Sequence, residues 1–215
     1  MDVIEVDELT EYTLTDPVLI EGLPGVGHVG KLAAEHLLDE FPSTRVFEVV
    51  SEEFPPQVTV GDDGVARLVH ASFHAVDTGD RDLLVLTGDH QAQTNRGHYT
   101  LASQFLDIAE TAGVTAVYAL GGVPTGELVD DPGVLAAVTQ DELREPLETV
   151  GVQFREGEPA GGIVGVSGLL LGLAARRGVP ATCLMGETSG YLVDPQSARA
   201  ILEVIAAQLG FTVEY

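Results

Sequence analysis

Lysine is almost missing from this chain: Lys31 is the only one among 215 residues. Cysteine is as scarce. Cys183 stands alone, which excludes an intrachain disulfide and a cysteine-based metal site. No apolar run approaches the ~20 residues of a membrane-spanning helix. The amino-terminal segment MDVIEVDELTEY is acidic and lacks the basic and apolar regions of a signal peptide, so a cytoplasmic protein is expected. Catalytic signatures are missing too. Gly165-Val166-Ser167-Gly168 lacks the G-x-S-x-G spacing of a nucleophile elbow, and no H-E-x-x-H motif occurs. No catalytic residue, metal or cofactor is therefore assigned.

Positive charge is the other shortage. Ten Lys plus Arg face 34 Asp plus Glu, a net charge of −24. Nucleic acid and anionic membranes are poor partners for such a surface. The acids are scattered along the chain, unlike a disordered acidic tail. An acidic, lysine-poor, folded chain resembles proteins of salt-loving archaea, where molar salt shortens the screening length to ~3 Å and quiets self-repulsion.

What the chain does have is a regular alternation of apolar runs and helical periods, with 45% apolar residues. Residues 1–215 suit a single domain with a sizeable core, and 211–215 form a candidate mobile tail. The clearest stretch is VLIEGLPGVGHVGK, Val18 to Lys31. Val18 to Ile20 reads as a buried strand, the glycines as a tight turn, and Lys31 to Glu40 as a helix. Such a strand, turn and helix start can cradle an anion. Gly25, Gly27 and Gly30 fit G-x-G-x-x-G, and Gly25 to Lys31 fits G-x-x-x-x-G-K. Leu32 stands where the second motif needs Ser or Thr for magnesium. Glu48 has roughly the offset of a ribose-binding acid but lies inside the run Arg45 to Val50. The same glycines equally serve a tight turn and close packing of a helix on a sheet.

Further along, Val3, Ile4 and Val6 suggest an edge strand. Arg45 to Val50 reads as a strand ended by Pro55-Pro56. Gln57 to Val60 and Val65 to Val76 flank Gly61-Asp62-Asp63-Gly64 as the arms of a hairpin, with His70, Ser72 and His74 on one face. Two of those are histidines, but no third metal ligand accompanies them. Leu83 to Leu86 is a buried strand leading into Asp89, His90, Gln91, Thr94 and Asn95, where ligands bind in open α/β sheets. Asp89 could hold a metal, or His90 or His98 act as a base. Alternatively, Thr94 or Asn95 simply caps the helix Tyr99 to Ala112. Val114 to Leu120, Val134 to Thr139 and Ala181 to Met185 are further strands, the last ending at Glu187. Asp141 to Val150 reads as a short helix and Gly157 to Gly162 as a flexible loop. Ile163 to Arg177 is apolar nearly all round and reads as a buried helix. Asp194-Pro195 opens a last helix through Leu209, with Asp194 as cap. This alternation gives an α/β fold of three layers with a mostly parallel or mixed central sheet.

Taken together, the segments GLPGVGHVGK (Gly22 to Lys31), GDHQAQTNRGHY (Gly88 to Tyr99), GGVPTGE (Gly121 to Glu127), GIVGVSGLLLGLAARRG (Gly162 to Gly178) and CLMGETSGY (Cys183 to Tyr191) resemble the archaeal proteasome assembly chaperone family. That family is related to the second subunit of the eukaryotic assembly-chaperone pair. The resemblance runs from about Val18 to Leu209. It implies a phosphorylase/hydrolase-like α/β/α sandwich and a homo-oligomer. It also implies a non-enzymatic role in binding proteasome core-particle α-type subunits during assembly. Phe211, Val213 and Tyr215 form a candidate proteasome-binding tail. Related tails end hydrophobic–tyrosine–any residue, whereas here Tyr215 is last. The alternative is a nucleotide- or nucleoside-binding enzyme or sensor using Gly25 to Lys31 with Asp89. A third, milder possibility drawn from the resemblance is a pocket for a small ligand at Asp89, Gln91, Asn95 and Glu187.

Overall fold

A computed structural model describes residues 3–157 and 159–215. Met1 and Asp2, at the acidic start, and Glu158, within the expected loop Gly157 to Gly162, lie outside the described residues. In chain order the strands and helices are β1 (Ile4–Glu8), β2 (Val18–Gly22), α1 (Val29–Glu40), β3 (Ser43–Ser51), β4 (Val58–Val60), β5 (Ala66–Leu68), β6 (His70–Asp77), β7 (Asp82–Gly88) and α2 (Asn95–Thr111). They continue with β8 (Ala116–Pro124), β9 (Val134–Val138), α3 (Arg144–Thr149), α4 (Gly165–Arg177), β10 (Ala181–Thr188) and α5 (Pro195–Leu209).

Eight strands form one mixed sheet in the order β1-β3-β6-β7-β2-β8-β10-β9. Its centre, β7-β2-β8-β10, is parallel, and antiparallel pairs extend it on both sides. Central parallel strands are covered on both faces and so read as unbroken apolar runs, which is how Val18–Ile20 and Leu83–Leu86 look. The two faces bury different residues. Leu19, Leu84 and Phe73 meet Phe105 of α2 and Leu170 of α4 on one side. Ile20, Val85 and Leu184 meet Leu37 of α1 and Ile201 of α5 on the other. The result is a three-layer α/β/α sandwich.

Capping sets two helix starts, although α2 begins at Asn95, four residues before the expected Tyr99. The Thr94 side chain accepts from Gly97 N at 2.8 Å to open α2. The Asp194 carboxylate accepts from Ser197 N at 3.1 Å, with Pro195 following, to open α5.

Three expectations are corrected. The span Val65 to Val76 is not one hairpin arm. Its first part, β5, pairs with β4 in a separate two-stranded ribbon, while β6 joins the main sheet beside β3 and β7. The break falls at Val69, whose side chain turns into the core while β5 stays exposed. The segment Asp141 to Val150 is a 3-10 turn, Asp141–Leu143, followed by the two-turn α3. Finally, α4 is not buried all round. Val166, Leu170, Leu171 and Ala174 point inward, but Gly172 and Ala175 face solvent, because only the sheet side and the α2 side of this helix are covered.

The carboxyl-terminal residues run back along the groove between α1 and α5. Phe211 is buried and meets Phe41 edge-on, with ring centroids 5.7 Å apart. Val213 packs on the same core. Tyr215 stacks on His36 at 5.4 Å, and the Arg199 guanidinium lies 4.3 Å from its ring centre. The His36 Nε2 donates to Glu214 O at 2.8 Å.

Candidate functional site

The chain leaves β2 for α1 on one face of the sheet and leaves the adjacent parallel β7 for α2 on the other. That divergence is a topological switch point, and ligands of open α/β sheets bind in the crevice it makes at the strands' carboxyl ends. Here the crevice lies between Glu21–Leu23 and Gly88–Gln91.

Lys31, two residues into α1, reaches across it. Its Nζ donates to Gly88 O at 2.9 Å and pairs with Glu35 at 2.9 Å, with Asp89 at 3.9 Å. Gln91 closes the other side. Its Nε2 donates to Pro24 O at 2.7 Å, and its Oε1 accepts from Val166 N at 3.1 Å in the first turn of α4. The crevice is thus laced by the chain's own side chains. Gln91→Ala would leave a helix amide and a carbonyl without this partner, so a loss of about 1–3 kcal/mol is expected in denaturant unfolding.

The glycines of this stretch have separate tasks. A Cβ on Gly22 would lie 2.2 Å from Gly30 O, and one on Gly30 would lie 2.2 Å from Leu120 O. These two let α1 sit directly on β2 and β8. Gly27 has φ 62°, in the left-handed region, and its carbonyl accepts from Asp194 N at 2.9 Å. Gly25 is extended, with open space around it.

Of the other sequence candidates, Asn95 is the exposed first residue of α2. Glu187 lies beyond β8, on β10, where it pairs with Arg155 at 2.6 Å and accepts from Gly133 N at 3.1 Å. The structure therefore joins Lys31, Asp89 and Gln91 around one crevice and leaves Glu187 on the other side of a strand. On β6, His74 Nε2 is 3.0 Å from Ser72 Oγ, while His70 Nδ1 donates to Leu68 O at 2.8 Å. Burial first, then the Arg45 charge, pushes the His74 pKa down to about 4, so the ring is neutral. Among the described residues no group of three His, Cys, Asp or Glu is arranged to hold a metal.

One residue in this region was not picked out by the sequence reading. Glu21, in the central strand, is fully buried. Its carboxylate accepts from Leu23 N at 3.0 Å, and its other oxygen has no hydrogen-bond partner among the described residues. Burial pushes its pKa up to about 7, held back by the Leu23 amide and by the neighbouring Ser167 hydroxyl of α4, which does not reach hydrogen-bond geometry. The buried Cys183 thiol is raised as well, first by burial and then by the Glu21 charge, so it is no nucleophile. The signal for Glu21 was present. Strand alternation from Leu19 places residue 21 on the same core-facing side.

Comparison with known proteins gives a consistent picture. The PAC2 family profile matches residues 19–215. An uncharacterised protein of Methanocaldococcus jannaschii is 44% identical over 190 residues, which cover 88% of this chain and 72% of that protein. The crystal structure of Pyrococcus furiosus PbaB, described as an archaeal proteasome activator, superposes with a TM-score of 0.93 at 36% identity, covering 100% of this chain and 92% of that one. Pyrococcus furiosus PbaA, described as an archaeal homolog of proteasome-assembly chaperone, superposes with a TM-score of 0.81 at 27% identity, covering 97% and 83%.

Proposed function

The chain belongs to the PAC2 family, and from that premise we propose that it is a non-enzymatic proteasome assembly chaperone or adaptor that binds core-particle α-type subunits. The observation that carries the reading is the likeness to PbaB, at 36% identity over the whole chain. PbaB and PbaA are described in different words, activator and assembly-chaperone homolog, and what those words share is the proteasome. The acidic, lysine-poor composition fits a salt-loving archaeon, and membership of the family supports a homo-oligomer.

The internal arrangement of the crevice supports a binding role over catalysis. Lys31 is already engaged by Gly88 and Glu35, and Gln91 by Pro24 and Val166. A reacting group would have to displace these contacts before meeting any substrate.

Co-purification tests the reading. The tagged protein is recovered from a haloarchaeal lysate in molar KCl, in full-length form and with Thr212 to Tyr215 deleted. Phe211 is retained because it is part of the core. Proteasome α-type subunits are expected with the full-length protein. Loss of those subunits on truncation would place the contact in the tail, which would then have to leave His36 and Arg199 in order to bind. Their absence from both samples would sink the proposal.

A further inference from the structure

Among the described residues fifteen large apolar side chains are exposed, and most of them lie at one end of the molecule, beyond the carboxyl ends of the parallel strands. In a chain of net charge −24 such clustering has a cost in solubility. Two groups stand out. The first is the β4–β5 ribbon. Val58 pairs with Leu68 and Val60 with Ala66, so these four side chains share one face, and all of them are exposed. An isolated two-stranded ribbon is marginal in water, so an uncovered apolar face on one calls for a partner. The second is the loop after β10. Tyr191 is 82% exposed, and Leu192 and Val193 follow at 63% and 58%.

Both groups sit at the same end. The ribbon enters β6 at His70, beside Ala71, which is paired with Gly88 at the carboxyl end of β7. Gln57 at its base lies 2.8 Å from His90. The β10 loop is joined to the neighbouring turns by Thr125 N donating to Thr188 O at 2.8 Å and Asp194 N donating to Gly27 O at 2.9 Å. From β6 to β10 is four strand spacings, or ~19 Å. That width suits one side of a standard interface of ~800 Å².

Charge decides what kind of surface fits. Exposed carboxylates border the face: Asp62 at the ribbon tip, and Glu127, Asp130 and Asp131 in the turn after β8. Arg67 is already paired with Asp63 at 2.7 Å. A second copy of this chain meeting the same face would bring carboxylates towards carboxylates, a repulsion that molar salt weakens but does not turn into attraction.

We propose that this end of the sheet is a docking face for a different protein, one apolar at the centre of its contact surface and rimmed by Lys and Arg. The proposal rests on the proteasome reading, in which that partner is the α-type subunit, and it assigns the contact to the folded body rather than to the tail.

Binding to purified α-type subunits in molar KCl tests it, with the mass of the protein's own oligomer measured by light scattering. Three pairs of exposed residues are changed: Leu192→Ser with Val193→Ser, Val60→Ser with Leu68→Ser, and Glu127→Lys with Asp131→Lys. Each serine pair is expected to weaken binding roughly tenfold or more. The lysine pair should weaken it as well. Oligomer mass and melting temperature should not change, since these side chains are exposed. Wild-type strength from the serine pairs would overturn the inference. So would serine pairs that dissolve the oligomer, or a lysine pair that enlarges it, because a second copy would then be the occupant. Wild-type protein that binds no α-type subunit would instead overturn the proposed function, and this inference with it.

Discussion

Gly30→Ala is expected to destabilise the protein by about 3 kcal/mol or more, lowering the melting temperature by roughly 6–12 °C. The reason is where the new methyl would go. Its Cβ would stand 2.2 Å from Leu120 O and 2.7 Å from Leu120 C. Those are backbone atoms of β8, in the middle of the sheet, between β2 and β10. A flexible side chain would swing aside, but a central strand moves only by dragging its hydrogen-bonded neighbours. Gly22→Ala should behave alike, since its Cβ would meet Gly30 O at 2.2 Å and Ala34 Cβ at 2.5 Å. Gly25→Ala is the control. Gly25 has φ −152° and nothing within 4 Å of a built Cβ, so a change within about 0.5 kcal/mol is expected. Thermal or denaturant unfolding of the three variants settles the matter. If Gly30→Ala unfolds within 1 kcal/mol of the native protein while Gly25→Ala is severely destabilised, the glycines are not there for packing.

That contrast also shows how far the sequence could be read. Gly25, Gly27, Gly30 and Lys31 match phosphate-loop spacings, and nothing in a linear pattern distinguishes a glycine that admits a phosphate from one that admits a neighbouring strand. The structure separates them, because Gly30 faces β8 and Gly25 faces open space. The central strands were legible because strands covered on both faces are continuous apolar runs bounded by glycines. The caps Thr94 and Asp194 were legible because capping is local chemistry. The division of Val65 to Val76 into β5 and β6 was not, since it depends on Val69 finding a distant core. Nor was the open side of α4, whose apolar composition says nothing about which neighbours arrive. Of the candidate residues, Lys31, Asp89 and Gln91 converge because they follow adjacent strands β2 and β7, an adjacency that no spacing along the chain encodes. The one cue overlooked is Glu21. Ending the strand at Ile20 put this acid in a turn, whereas β2 runs on to Gly22 and carries it into the core.

Glu21 should therefore leave a signature in the pH dependence of stability. Its folded pKa, about 7, lies well above the ~4.3 of an exposed glutamate, and the leading cause is burial. Between these values the folded chain holds a proton that the unfolded chain has released. Raising the pH across that window then favours unfolding by ~1.4 kcal/mol per unit, up to ~4 kcal/mol in all. The stabilisation from this group is fully present below about pH 4.3 and is lost as pH passes through 7, after which the curve is flat. Glu21→Gln keeps an oxygen for the Leu23 amide and cannot ionise. Other carboxylates shape the absolute curve of both proteins, so the informative quantity is the stability of the variant minus that of the native chain. It is expected to be constant below about pH 4, to rise by ~4 kcal/mol between about pH 4.3 and 7, and to level off above. Denaturant unfolding at fixed molar KCl across pH 4 to 8 measures it. A flat difference would mean that the Glu21 carboxyl keeps an ordinary pKa in the fold, and with it water or a partner at the oxygen that is unpaired here. The rise would instead establish a neutral acid locked under the first turn of α4, beside Ser167.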